Sequence, residues 1–402
     1  MPDRKREKPL VPKLRFPEFK DAGEWEVKRL GEVCDVLDSL RKPVTSTKRR
    51  AGSYPYYGAS GAIDYIDEYI FDERLLLIGE DGAKWGPYEK TAFIVEGKYW
   101  VNNHAHVLRP TLIIDTLLEN YLTASDISIY VTGAAPPKLT LDNLISIQVP
   151  VPRDRGEQQK IVDCLSALDE LIELEAQKCE ALKAHKKGLM QQLFPRENET
   201  IPRLRFPGFR NVGEWEVKRL GKVGEIITGT TPSTKRAEYY ANGVYPWVTP
   251  TDIGEEKDIT ETKTRLSKEG LAAGKFVPRN SLLVTCIASI GKNAILRADG
   301  SCNQQINAIT SLKSTSVDFL YYLIEGKVHV LLNAAGQGGM AILNKNEFSN
   351  LRFPFPALEE QQKIADCLSS LDALIELKAQ KVEALKQHKK GLMQQLFPQE
   401  VI

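Results

Sequence analysis

The stretch EQQKIVDCLSALDELIELEAQKCEALKAHKKGLMQQLFP, Glu157 to Pro195, decides the fold. Within it Ile161, Leu165, Leu168, Ile172, Glu175, Cys179, Leu182, Lys186, Leu189 and Leu193 recur at alternating steps of four and three, the 3.5-residue period of a coiled-coil seam. No proline interrupts it before Phe194-Pro195 and its one glycine, Gly188, comes late, so the spacing predicts a single helix of roughly 55 to 60 Å. The stretch returns from Glu360 to Pro398 with 33 of 39 positions identical. Its second seam passes through Ile364, Leu368, Leu371, Ile375, Lys378, Val382, Leu385, Lys389, Leu392 and Leu396 before Phe397-Pro398.

A second repeat lies upstream of each helix. PKLRFPEFKDAGEWEVKRLGEV (Pro12 to Val33) recurs as PRLRFPGFRNVGEWEVKRLGKV (Pro202 to Val223), identical at 16 of 22 positions. The middles, residues 34–156 and 224–359, show no convincing repeat and are expected to be unrelated. Two copies drifting together would differ everywhere, whereas near-identical flanks around dissimilar middles mark a chain that keeps a frame and exchanges its content.

Charge gives the helices a direction. Residues 157 to 175 hold six acids and one base, and residues 176 to 195 hold four bases and one acid; the second helix divides in the same sense. Antiparallel pairing lays each acidic half beside a basic half and brings the seam residues Glu175 and Lys378 into adjacent central layers, where they could set the register. The same polarity also suits the helix dipole. Leu171 and Leu174 lie beside the seam, available to pack on the globular domains or to dock a partner helix.

The middles read as α+β domains of strands, turns and short helices. ERLLLIGEDGAKWG (Glu73 to Gly86) is a buried strand running into a glycine turn, KYWVNNHAHVLRP (Lys98 to Pro110) is another, and the second middle has SLLVTCIASIGKNAIL (Ser281 to Leu296) followed by CNQQINAIT. Basic, hydroxyl-rich loops occur in both. The first carries Arg41, Lys42, Lys48, Arg49 and Arg50 ahead of Tyr54, Tyr56 and Tyr57; the second carries Thr231, Ser233, Lys235 and Arg236 ahead of Tyr239 and Tyr240, then Lys263 and Arg265. With Lys84, these are the candidate DNA-binding residues, because Arg and Lys meet phosphates or guanine edges and Ser and Thr satisfy either. A solvated loop has the same composition.

At 402 residues, and about 100 to 200 per domain, the chain should hold two to four domains. A net charge of +1 gives no global basic surplus, so charge has to be read locally. The longest apolar runs fall short of a membrane span, MPDRKREKPLVPKLRF has no apolar stretch behind its charge, and the six cysteines never form C-x-x-C. These features lead us to expect a cytoplasmic protein with no membrane partner and no zinc knuckle. No phosphate loop surrounds Gly291-Lys292, since Cys286 stands where its first glycine is required. Asp252, Glu255 and Lys257 form only a faint nuclease-like set, and His104 and His106, placed by alternation on one face of a strand, lack further ligands nearby. The expectation is a recognition scaffold with no catalytic residues, no metal and no cofactor in this chain.

The layout resembles the DNA-specificity (S) subunits of type I restriction–modification systems over nearly the whole chain. LISIQVPVP running into EQQKI (Leu144 to Ile161) and LRFPFPALEEQQKI (Leu351 to Ile364) are similar to the family's strand-to-spacer-helix junction. GTTPSTKRAEYYANGVYPWVTPTDI (Gly229 to Ile253) resembles the opening motif of its recognition domains; ASIGKNAI, CNQQINAIT and VNNHAHVLRP resemble their inner strands. The first middle has DSLRKPVTSTKRR (Asp38 to Arg50) in place of the G-x-T-P opening.

The resemblance implies a pseudo-twofold tandem repeat: target recognition domain 1 over 1–152, spacer helix 1 over 153–195, a linker over 196–201, target recognition domain 2 over 202–356 and spacer helix 2 over 357–402. It implies that the two globular domains are separated by the helices, packed as an antiparallel coiled coil, and that each domain reads half of a bipartite double-stranded DNA target. The helix pair sets the gap and docks two modification (M) subunits, which bind S-adenosylmethionine and methylate adenine; two restriction (R) subunits add ATP-driven translocation and cleavage. The S subunit itself is non-catalytic. A stand-alone or decoy DNA-binding protein and a coiled-coil protein adaptor remain alternatives.

Overall fold

The computed structural model describes residues 10–254, 256–336 and 341–398. It divides into two compact units, one made of residues up to Ala176 together with those from Gln380 onward, the other spanning Gln177–Ala379. The repeated stretches form helices Arg155–Leu193 and Leu358–Leu396, each of 39 residues. The first helix therefore starts in one unit and ends in the other, and the second does the reverse.

In each unit the upstream repeat folds onto the start of a long helix. Strand Glu26–Arg29 pairs antiparallel with Gln148–Val151, the strand just before the first helix, and Glu216–Arg219 pairs identically with Arg352–Phe355. Arg15 Nε and Nη2 each lie 2.7 Å from a carboxylate oxygen of Glu157, which also accepts from Trp25 Nε1. Gln158 is buried: its amide oxygen accepts from Ile114 N and its amide nitrogen donates to Pro152 O. Gln361 does the same with Ser316 N and Pro356 O. The repeated LRFP, GEW and EQQ segments are thus one joint, welding domain to helix with hydrogen bonds that buried polar groups must otherwise forgo.

The two middles have the same fold, which corrects the expectation that they are unrelated. In the first, strands run in the order Cys34–Val36, Ala105–Pro110, Leu75–Gly79, Ala92–Val95; in the second, Glu225–Thr228, Ile306–Thr310, Ser281–Thr285, Asn293–Leu296, with Asp258–Ile259 added at the edge. A second sheet in each is built around one parallel pair, Tyr56-Tyr57 beside Trp100-Val101 and Trp247-Val248 beside Ser301-Cys302. The segment Lys98 to Pro110, expected as one strand and turn, is two strands, and Ser281 to Leu296 is likewise two. Strand Leu75–Gly79 reads as an unbroken apolar run because both faces are buried: Leu76 and Ile78 enter one core, Leu75 and Leu77 another. Leu282 and Val284 against Leu283 repeat this division in the second unit.

The helix ends complete the cores. Leu396 and Phe397 are buried in the first unit with Trp25, Leu30 and Tyr121; Leu193 and Phe194 are buried in the second with Trp215, Leu220 and Phe319. Each such side chain contributes about 1.5 to 3 kcal/mol by leaving water. Contacts along the helices run in opposite directions within each unit. Asp169 meets Lys389 and Glu175 meets Lys381 in the first; Cys179 meets Ile375 O and Lys186 meets Asp372 in the second. Acidic halves face basic halves, as the charge pattern predicts. Leu165, Glu175 and Leu368 are buried, and Leu168, Ile172, Leu182, Leu371, Ile375, Lys378 and Leu385 are half-buried. Leu171 and Leu174, with their counterparts Leu374 and Leu377, are exposed.

Candidate nucleic-acid interface

In the second unit, the loop after strand Glu225–Thr228 is clamped onto the turn after strand Ser301–Cys302. Gly229 N donates to Ile306 O, Thr230 N donates to Cys302 O, and Trp247 Nε1 donates to Thr230 O. A Cβ on Gly229 would lie 2.2 Å from the carbonyl oxygens of Cys302 and Asn303, so only glycine permits this approach. Thr231 Oγ1 lies 2.6 Å from Gln304 Oε1 and donates to it. Tyr240 OH donates to Pro232 O, fixing the rest of the loop. Ser233 and Lys235 are exposed, and Arg236 is exposed over the ring of Tyr239. Lys263 is exposed on a neighbouring segment, where Arg265 pairs with Glu261 at 2.9 Å. Thr231, Ser233, Lys235 and Arg236 lie on the loop after strand Glu225–Thr228, Lys263 just before strand Arg265–Leu266 and Arg265 within it.

In the first unit the basic loop divides into two sets. Lys42, Lys48 and Arg50 are exposed, as is Lys84, which lies 3.9 Å from Glu89. Arg41 and Arg49 are instead committed inside the domain. Arg41 pairs with Asp38 and Glu80 and donates to Ala105 O, and Arg49 stacks on Tyr56, donates to Val44 O and pairs with Asp64.

Glu80 receives Arg41 from one side and Lys138 from the other. Burial pushes its carboxyl up, but the hydrogen bonds from Lys138 and Arg41 outweigh this and hold it below the usual carboxylate range. His106 Nδ1 faces Asp38 and its Nε2 faces Leu139 O. Ligand atoms of Asp38, Glu80 and His106 lie within 4.8 Å of one another, yet the two carboxylates already have Arg41 and Lys138 as counter-ions. The strand starts at Ala105, so His104 and His106 do not share a strand face as expected; His104 sits in the preceding turn beside Asp81. The nuclease-like set dissolves as well. Lys257 donates to Asp318 and Ser369, Asp252 accepts from Thr249, and Glu255 lies outside the described residues.

Two further exposed polar residues stand outside the basic loops. Asn103 and Gln304 occupy the same place in equivalent turns, and both are exposed. The signal was VNNHAHV beside CNQQINA: an asparagine, two polar residues, then an apolar-alternating strand.

Two copies of one α+β domain, each presenting polar and basic loops and each joined to a long helix, define a tandem recognition protein. The chain matches the type I restriction modification DNA specificity domain over residues 22–184 and 213–387, and it belongs to that family. It is similar to the type I restriction enzyme MjaVIII specificity subunit of Methanocaldococcus jannaschii, 26% identical with 96% of this chain and 93% of that protein covered. It is 33% identical to the MjaIX specificity subunit of the same organism over 43% of this chain and 41% of that protein. Its fold is similar to that of the type I restriction-modification system S subunit from M. genitalium, with a TM-score of 0.61 and 12% identity, covering 97% of this chain and 99% of that one.

Proposed function

We propose that this chain is the DNA-specificity subunit of a type I restriction–modification complex. Each recognition domain reads one half of a bipartite double-stranded DNA target. The carrying observation is that two middles of dissimilar sequence share one strand order, each held in a near-identical frame. A common scaffold with divergent loops is the arrangement that lets two half-sites differ while the assembly stays the same.

In this reading the helix pair, as an antiparallel coiled coil, sets the gap between half-sites and docks two M subunits, with two R subunits joining the complex. The chain acts as a recognition subunit in the cytoplasm, needs no cofactor of its own and leaves methylation and cleavage to those partners. The exposed leucines at equivalent positions of both helices, Leu171 with Leu374 and Leu174 with Leu377, support a partner surface there.

The test is a map of methylated bases in cells carrying this chain and its M partner, against cells carrying the M partner alone. A split sequence methylated only in the first is expected. Methylation independent of this chain would overturn the proposal.

A further inference from the structure

We infer that Asn103 and Gln304 read bases directly, one in each half-site; this rests on the DNA-reading function proposed above. Each sits at the tip of a turn built the same way. Asn102 Oδ1 accepts from His104 N at 2.7 Å, and Asn303 Oδ1 accepts from Gln305 N at 3.0 Å. The far side of each turn is pinned to the central strand: Glu80 N donates to His104 O at 2.9 Å, and Cys286 N donates to Gln305 O at 2.8 Å. Asn102 and Asn303 are buried and the next residue, Asn103 or Gln304, is exposed; of the other turn residues, His104 is exposed but its ring faces Asp81, and Gln305 is half-buried.

Both presented residues are amides although little else in the two middles matches. A carboxamide carries a donor and an acceptor side by side, the pattern that meets N6 and N7 of adenine in the major groove. The turns are also braced from the basic loops. Arg41 donates to Asn103 O in the first unit, and Thr231 Oγ1 donates to the Gln304 amide oxygen in the second. With its oxygen accepting from Thr231, the Gln304 amide keeps its NH2 group as a donor. Exposed Lys42 and Lys235 lie on the bracing loops, suited to phosphates on either side of a read base.

The experiment is methylation mapping with the full chain and its M partner, comparing the natural sequence with Asn103→Ala, Gln304→Ala and Gln304→Glu. Expected is a loss of discrimination of about tenfold at one position of one half-site for Asn103→Ala, and at one position of the other half-site for Gln304→Ala. Gln304→Glu keeps the shape of the side chain but loses its donor, and should move preference at that position from adenine toward cytosine. It also separates a reading defect from a folding defect, because a folded complex with an altered base is the supporting result. An unchanged site, or weaker methylation of every sequence alike as a phosphate contact would give, overturns the inference. If the natural chain itself directs no split site, the specificity function fails instead, and the two failures are distinct.

Discussion

Arg205 clamps Glu360 across 155 residues of chain, its Nε and Nη2 each 2.7 Å from a carboxylate oxygen, with both side chains buried. Arg15 and Glu157 make the same pair in the other unit. A two-pronged pair out of water carries geometry as well as charge, and here it fixes how the first turn of a long helix meets its domain. Removing one partner strands the other.

Arg205→Ala should therefore destabilise the second unit by about 3 to 5 kcal/mol. Arg205→Met combined with Glu360→Gln, which leaves no buried charge, should cost clearly less than the single change. Thermal unfolding of the full chain measures both. Equal destabilisation by the single and double variants would show that packing, not the stranded carboxylate, dominates.

A second prediction concerns acid. The folded Glu80 carboxyl titrates below its ordinary value of 4.5, so its stabilisation is fully present above that pH and is lost as pH falls through the folded value. Glu80→Gln should lower the melting temperature at pH 7, and the gap to the natural chain should narrow below about pH 4.5. Arg41→Ala leaves Asp38 and Glu80 without their shared cation and should cost about 3 kcal/mol. A gap that stayed constant with pH would remove Glu80 from this account.

Parts of this architecture were legible in the sequence and others were not, for physical reasons. The helices were legible because a seam repeated over ten positions and then repeated again admits few other structures. The shared fold of the middles was not, because a strand position asks for burial rather than for a particular side chain: Leu76 and Leu282 coincide, but Val107 is answered by Ala308 and His106 by Asn307. Arg41 looked like a DNA contact because its neighbours in sequence are basic and exposed. Its actual partner Glu80 is 39 residues away, and only the pairing of Leu75–Gly79 with Ala105–Pro110 brings it close. The Asn103 and Gln304 turns were hidden for the same reason, since their meaning lies in what packs behind them.

A frame of this kind should let the domains be exchanged. Strands Glu26–Arg29 and Gln148–Val151 close the first middle, the Arg15–Glu157 pair lies outside residues 34–156, and Gln158 reaches into them through backbone atoms of Ile114 and Pro152. Replacing residues 34–156 by the middle of another family member should change one half-site and leave the other as it was. Methylation mapping reads this directly, and a change in both half-sites would contradict independent reading.

The last prediction is Gly229→Ala. The added methyl carbon would lie 2.2 Å from two backbone carbonyl oxygens, Cys302 and Asn303, neither the far end of a flexible side chain. The loop must therefore withdraw from the turn, and with it go Thr230 N to Cys302 O and Thr231 Oγ1 to Gln304. The strain is of overpacking size, about 1 to 3 kcal/mol, small beside a unit whose core strand Ser281–Thr285 is buried throughout. The fold should survive while the second half-site loses definition. The first half-site should keep its sequence, since no residue of its unit is touched. Circular dichroism would check the fold and methylation mapping the site: a folded variant with both half-sites intact would show that the loop-on-turn clamp does not position the second domain's reading surface.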